Sequence, residues 1–287
     1  MSANVMKSEP HNRQDVSGQK QTHSNKKTGR TSKQKRSKVL LTRYPWIAPV
    51  SALLLAVVVW EILVRILEVP EFLLPAPSAV LASLWENSGL LAEHAVITLS
   101  STLVGFILSA VLGVLLAVII VLWPTIGAAI LPIVIASQVI PKVAVAPLMV
   151  VWIGTGMTTS ILIAFITAFF PVVVNATLGM KSVDQMSIDL LRSMRATKWQ
   201  IFGNLRFPNA LPYIVTGLQL AVAFAIVGTI VGEFVGSKAG LGYLLIIAQG
   251  NLRTDLLFAG LVVLTIMGLV LYYGVEAIGK VLLRNRQ

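Results

Sequence analysis

Two charged side chains that could do chemistry stand in otherwise apolar parts of this sequence. Lys142 is the only charged residue between Glu93 and Lys181, and Glu233 follows a run of apolar residues and glycines. An ionisable group at membrane depth costs at least about 2.5 kcal/mol, so each should face protein or water. Lys142 could attract an anionic solute, reach a lipid headgroup, or bond carbonyls freed by neighbouring prolines. Glu233 could make a gating contact at the outer end of a helix or stand at a solvated helix terminus.

The residue types that usually carry catalysis or metal binding are scarce. The sequence has no cysteine, and its three histidines lack metal-ligand spacing. It also lacks a G-x-x-x-x-G-K-[ST] loop for nucleotide phosphates. We therefore expect no catalytic residue, no metal site and no cofactor.

The composition indicates an integral membrane protein. Of 287 residues, 56% are hydrophobic and only 12% are charged, whereas soluble domains carry about 25% charged residues. Residues 1–43 differ, because they hold eleven Lys or Arg against two acids. We interpret them as a disordered basic cytoplasmic tail, too long and without the cleavage site of a signal peptide. Residues 44–287 would form the transmembrane domain.

Hydropathy and charge together predict six transmembrane helices. Crossing a bilayer takes about 20 apolar residues. The predicted spans are about 46–67, 95–122, 125–152, 158–178, 211–231 and 256–281, the third interrupted by three prolines (Pro132, Pro141, Pro147). Placing both termini in the cytoplasm puts 19 of the 23 basic residues inside, as the positive-inside rule requires. The fold class is therefore an all-α membrane protein.

Two local patterns suggest how the spans pack. Glycines recur every fourth residue from Gly228 to Gly240, which allows close backbone approach within the chain or between subunits. Glu61 and Arg65 are four residues apart and are expected to form a neutralised pair.

The long loop at 181–210 reads as two short amphipathic helices. Ser182 with Gln185, and Thr197 with Gln200, match the capping-box pattern, and Pro208 is expected to stop the second helix. We expect the apolar face, which includes Met186, Leu190 and Met194, to rest on the bundle. The helix pair could lie on anionic lipid headgroups or dock a soluble partner.

This loop resembles the EAA loop of ABC-transporter permeases. Asp189-Leu190-Leu191 stand in the EAA position, Arg195 stands where a Gly is expected, and residues 205–208 match the end of the pattern. Three further blocks, at 72–77, 140–156 and 232–242, resemble permeases for nitrate, sulfonate, taurine and vitamin precursors such as pyrimidines and riboflavin.

The resemblance implies a MetI-like permease bundle of six helices in the bacterial inner membrane. It implies three kinds of partner: a second permease copy forming a homodimer, a cytoplasmic ABC ATPase, and an extracytoplasmic solute-binding protein. The chain itself would not be an enzyme, and no nucleic acid is expected. Lys142 and Glu233 are candidates for the translocation path or gating. The residues implied in ATPase coupling are Asp189, Arg192, Ser193, Arg195, Ala196, Trp199 and Pro208.

Arg195 departs from the family pattern. Left-handed backbone geometry costs a residue with a side chain roughly 1–2 kcal/mol, so we expect a right-handed junction with Arg195 facing the partner.

Two other classes of function agree less well with the sequence. A stand-alone secondary transporter or channel should carry several ionisable groups in its spans, yet only Lys142 lies deep in one. A membrane-anchored protein that binds nucleic acid or lipid through residues 1–43 would leave the 181–210 loop unexplained.

Overall fold

The computed structural model describes residues 47–284, so the predicted tail at 1–43 lies outside the described residues. The chain divides into two units, of which the first ends at Ala56 and the second begins at Val57. The described part of the first unit is the N-terminal half of helix α1 (Ile47–Ile66). All packing described below lies within the second unit.

Five long helices among the described residues are apolar enough to cross a membrane. They are α1, α3 (Ser88–Leu122), α6 (Met157–Lys181), α9 (Phe207–Gly236) and α11 (Thr254–Arg284). Three shorter apolar helices, α4 (Pro124–Ala136), α5 (Lys142–Ile153) and α10 (Leu241–Gly250), lie between them. Helix α2 (Pro77–Glu86) precedes α3. The chain is thus all-helical in its described part. The predicted long spans agree with these helices to within five residues at each end, except that α3 begins seven residues earlier than predicted.

The predicted third span is two helices, α4 and α5. Its break falls at Pro141, whose extended backbone (φ −68°, ψ 105°) precedes α5. Proline disfavours helical geometry in the preceding residue, which explains the position of the break. The other two prolines of this segment lie inside helices, so the expectation that they interrupt the span was wrong. A sixth crossing and the location of the termini stay predictions.

Helices α3, α6 and α9 pack closely because small residues line their contacts. A Cβ on Gly232 would lie 2.5 Å from the Cα of Ser160, and one on Gly228 would lie 2.7 Å from the Cα of Ala164. Gly105 on α3 meets the same Ala164 from the other side. The glycine stripe therefore serves packing within the chain, the simpler of the two interpretations of its spacing.

The second unit has two distinct ends, and the chain runs repeatedly between them. At one end, which we call the loop end, the C-terminus of α3 meets the segment after α6, since Arg206 bonds the carbonyl of Val121. At the other, the Glu233 end, the start of α3 meets the C-terminal part of α9 through Thr98. The predicted Glu61–Arg65 pair is confirmed at 2.6 Å, and the Glu61 carboxylate also accepts the N–H of Ser78 at the start of α2.

Candidate functional site

The segment between α6 and α9 holds most of the predicted site residues. It contains helix α7 (Gln185–Ser193), the single turn α8 (Lys198–Ile201) and a π-helical turn at Phe202–Arg206. We call 182–206, the inner part of the predicted loop at 181–210, the coupling loop after the role that the family resemblance implies for it. Two short helices were predicted here, and the structure contains them.

The start of α7 differs from the prediction. Asp184 caps the helix by accepting the N–H of Ser187 at 3.2 Å, whereas Ser182 was expected to be the cap. The Ser182 hydroxyl is already engaged, because it donates to the Gly179 carbonyl and accepts from Asn209. The predicted capping box of α8 is present, with Thr197 and Gln200 each bonding the other's backbone N–H.

Pro208 does not stop α8, contrary to the prediction. The helical path continues without a break from Lys198 to Gly236. Pro208 stands in the first turn of α9, where a missing N–H is tolerated. The π-helical turn just before it, in which the N–H of Phe207 bonds the carbonyl of Phe202, shifts the hydrogen-bond register there.

Arg195 adopts φ +59°, so the predicted right-handed junction is wrong. Helix α7 ends in a Schellman motif: the N–H of Ala196 bonds the carbonyl of Leu191 at 3.0 Å, and that of Arg195 bonds Arg192 at 2.9 Å. This motif requires left-handed geometry at its penultimate position, the place that glycine usually takes. The two hydrogen bonds offset the cost of placing an arginine there.

The apolar side chains of the coupling loop divide between two faces. Ile188 and Ile201 are 5% and 6% exposed and anchor the loop to the bundle. Four others point outward, which contradicts the expectation that their face rests on the bundle. The spacing i, i+4, i+8 places three of them on the side of α7 away from Ile188. We call these four residues the exposed stripe: Met186, Leu190, Met194 and Trp199.

The polar residues predicted for coupling are brought together on the same loop. Asp189 accepts from Gln185 at 3.0 Å and from Arg192 at 3.2 Å, and the Ser193 hydroxyl bonds the Leu190 carbonyl. Both partners of the Asp189–Arg192 ion pair are more than half exposed, so the pair contributes little to stability. Ala196 is half-buried.

Lys142 lies apart from the coupling loop. Its Nζ donates to the side-chain oxygen of Gln138 at 2.6 Å, so its partner is an amide rather than a carbonyl freed by a proline. It borders a mainly apolar cavity of about 180 Å³ together with Val145 and Met149. The lysine is half-buried and has no carboxylate partner among the described residues.

Glu233 lies at the opposite end and is 2% exposed, so the solvated-terminus interpretation is wrong. Its carboxylate accepts from the Thr98 hydroxyl at 2.8 Å and from the N–H of Gly242 at 2.8 Å. Thr98 in turn accepts the N–H of Leu241 at 2.7 Å, and Nδ1 of His94 accepts that of Gly240 at 2.9 Å.

These contacts cap helix α10 with side chains from other helices. Three successive backbone N–H groups at its start bond His94, Thr98 and Glu233. The partial positive charge of a helix N-terminus stabilises a nearby carboxylate. A Cβ on Gly240 would clash with the Glu233 carboxyl group, and Gly240 also has φ +108°. Sequence reasoning missed Thr98 and His94, whose only signal is that they are polar residues at the start of an apolar run.

Comparison with known families shows to which class this helical bundle belongs. Residues 109–286 match the family described as binding-protein-dependent transport system inner membrane component. The chain belongs to this family and is a multi-pass membrane protein, a permease subunit of an ABC importer.

Individual relatives are similar in sequence to most of this chain. A riboflavin transport system permease, RibX, from Chloroflexus aurantiacus is 35% identical over 85% of this chain and 92% of its own length. A formylaminopyrimidine transport permease, ThiX, from Halalkalibacterium halodurans is 33% identical over 85% of this chain and 98% of its own. A probable ABC transporter permease from Haemophilus influenzae is 34% identical over 76% and 89%.

A solved structure shares the fold. A chain of the MetNI methionine ABC transporter, in an inward-facing conformation, superposes with a TM-score of 0.59 and 21% identity, over 68% of this chain and 97% of that one. This likeness supports the predicted MetI-like bundle.

Proposed function

We propose that the coupling loop docks a cytoplasmic ABC ATPase, and that two copies of the chain together enclose the path of a small solute delivered by an extracytoplasmic binding protein. The loop end then faces the cytoplasm of a bacterial cell, and the Glu233 end faces outward. This orientation agrees with the excess of basic residues in the segments predicted to be inside.

The exposed stripe is the observation that carries this proposal. Leu190, Met194 and Trp199 are 62%, 70% and 64% exposed, whereas Ile188 and Ile201 of the same segment are buried. A row of exposed apolar side chains at the end of a bundle is typical of a protein interface. Trp199 also packs edge-on against Phe202, with 6.2 Å between the ring centroids, and this contact fixes the orientation of its ring.

The polar residues of the loop would surround this apolar centre. Asp189, Arg192, Ser193 and Arg195 are all exposed, and charged groups at the rim of an interface set register and specificity. The left-handed turn at Arg195 directs the chain between α7 and α8, so both helices present their outer faces to one partner.

The solute is proposed from the relatives and from Lys142. Permeases named for riboflavin and formylaminopyrimidine transport are similar along nearly the whole chain, which favours a vitamin precursor, while similarity to taurine and sulfonate permeases keeps small anions as the second candidate. Lys142 would attract an anionic solute, since its described partner is a neutral amide that leaves its charge uncompensated.

The docking proposal is tested by copurification. The tagged full chain is isolated from its native membranes as wild type, as Trp199→Ala and as Trp85→Ala. Trp85 is the matched control, because it is 84% exposed but lies on α2. We expect a P-loop ATPase to copurify with the wild type and the control, and its recovery to fall at least about thirtyfold with Trp199→Ala, as for an aromatic hot spot worth ~2 kcal/mol.

Two results would contradict the docking proposal. Equal recovery of the ATPase with both tryptophan variants would place the interface elsewhere. If no ATPase copurified even with the wild type, a stand-alone transporter or channel would replace the importer.

A further inference from the structure

Two cavities at the loop end are lined by positively charged residues. The first, about 340 Å³, lies between the coupling loop and the ends of α3 and α4, and Arg192, Lys198 and Arg206 line it. The second, about 330 Å³, continues from it along α4, and Lys181 and Arg206 line it. The two cavities share three lining residues: Val121, Pro124 and Arg206.

The cations of the first cavity lack compensating acids. Of these three cations, only Arg192 has a carboxylate partner among the described residues. That partner is Asp189, which does not line the cavity. Arg192, Lys198 and Arg206 line the cavity together, and no acidic residue is part of its lining. One guanidinium nitrogen of Arg206 bonds the Val121 carbonyl at 3.3 Å, while its Nε is buried without a hydrogen-bond partner. Three cations in one lining without an acid indicate a site for an anion.

The second cavity has a mainly apolar lining, as a hydrocarbon chain requires. Pro124, Gly127, Ala128, Leu131 and Pro132 line it from successive turns of one face of α4. Ala128 and Pro132 are exposed, so this groove opens to the side of the helix. A free inorganic anion would make no use of such an apolar extension.

We propose that the two cavities form one binding site for an anionic phospholipid. Its phosphate lies among Arg192, Lys198 and Arg206, where a guanidinium can donate two parallel hydrogen bonds to phosphate oxygens. One acyl chain runs along the apolar face of α4. The lipid thus fills the space under the coupling loop, and its phosphate balances the positive charge of Arg192 and Arg206.

Native mass spectrometry of the purified full chain tests this site. The protein in a neutral detergent is titrated with phosphatidylglycerol and, separately, with phosphatidylcholine of the same chain length. Variants are Arg206→Gln, Lys198→Gln and Arg206→Lys, with Arg284→Gln as the control, since Arg284 is an exposed cation that lines neither cavity.

We expect one phosphatidylglycerol per chain to be retained in preference to phosphatidylcholine. Its affinity should fall about fivefold when either Arg206 or Lys198 is made neutral, as for one cation at an anionic membrane surface. Arg206→Lys should keep most of the affinity, and the Arg284 control all of it. Because Lys198 is exposed, its neutral variant tests the site even if Arg206→Gln does not fold.

Three outcomes would overturn the proposal. Equal retention of the two lipids would mean that no headgroup charge is recognised. An equal loss with the Arg284 control would indicate adsorption to the basic surface as a whole. Displacement of phosphatidylglycerol by millimolar inorganic phosphate would identify a free-anion site. The measurement uses the permease alone, so its result does not depend on the ATPase.

Discussion

The Glu233 end and the loop end of the second unit differ in how their buried polar groups are paired. At the Glu233 end, the carboxylate, the Thr98 hydroxyl and the N–H groups that begin α10 are buried and paired with one another. At the loop end, Arg195 adopts a costly backbone conformation, Nε of Arg206 is buried without a partner, and apolar side chains face outward.

This difference indicates which end of the second unit satisfies its polar groups within one chain. A buried polar network whose members are all paired makes its region rigid and specific. Violations of ordinary packing rules concentrate where a protein meets something else. The Glu233, Thr98 and α10 contacts are therefore complete within one chain, and the loop end is the part where we propose that other molecules bind.

The largest expected effect on the free energy of unfolding comes from removing the Glu233 carboxylate. Glu233→Ala leaves the N–H of Gly242 and the Thr98 hydroxyl without their buried partner, which should lower the free energy of unfolding by about 3 kcal/mol. Glu233→Gln keeps an acceptor for Gly242 and should lose less. The midpoint of thermal unfolding in detergent measures both. Equal losses for the two variants would show that the hydrogen bonds do not hold this end together.

The next effect concerns the packing that connects the two ends. Gly232→Ala brings a Cβ to 2.5 Å from the Cα of Ser160, and since a backbone atom cannot move aside cheaply, α6 and α9 must separate, at about 1–3 kcal/mol.

Gly274→Ala on α11 is the matched control for that change. A Cβ there meets nothing within 4 Å, and alanine favours the helix over glycine, so its unfolding midpoint should stay the same or rise. If both substitutions lowered the midpoint equally, close approach of α6 and α9 would not be the reason for Gly232.

The smallest expected effect on stability comes from substituting Arg195 in the coupling loop. Arg195→Gly should stabilise the end of α7 by about 1 kcal/mol, because glycine adopts a positive φ without steric cost. Ser193→Gly, two residues earlier in α7, should destabilise it by a similar or smaller amount. Hydrogen exchange of the amides of residues 190–196 measures both changes. Shifts of the same sign would contradict the assignment of strain to Arg195.

Local patterns predicted much of this fold but little of how its parts meet. The long spans followed from hydropathy, and the α8 capping box from two residues three apart. The bond between Thr98 and Glu233 joins positions 135 residues apart, and no local pattern encodes such a contact. Arg195 was predicted wrongly because residue preference was weighed without the two backbone hydrogen bonds that close α7. The cap at Asp184 was missed because Ser182 bonds elsewhere.

The unbroken helical path from Lys198 to Gly236 has a mechanical consequence. At ~1.5 Å per residue, its 39 residues form a lever arm of roughly 60 Å with Trp199 near one tip and Glu233 near the other. If the path turns as one body in spite of its π-helical turn and Pro212, a change in tilt of about one degree at the coupling loop displaces the far tip by ~1 Å. That displacement is large enough to break the hydrogen bonds that hold the start of α10.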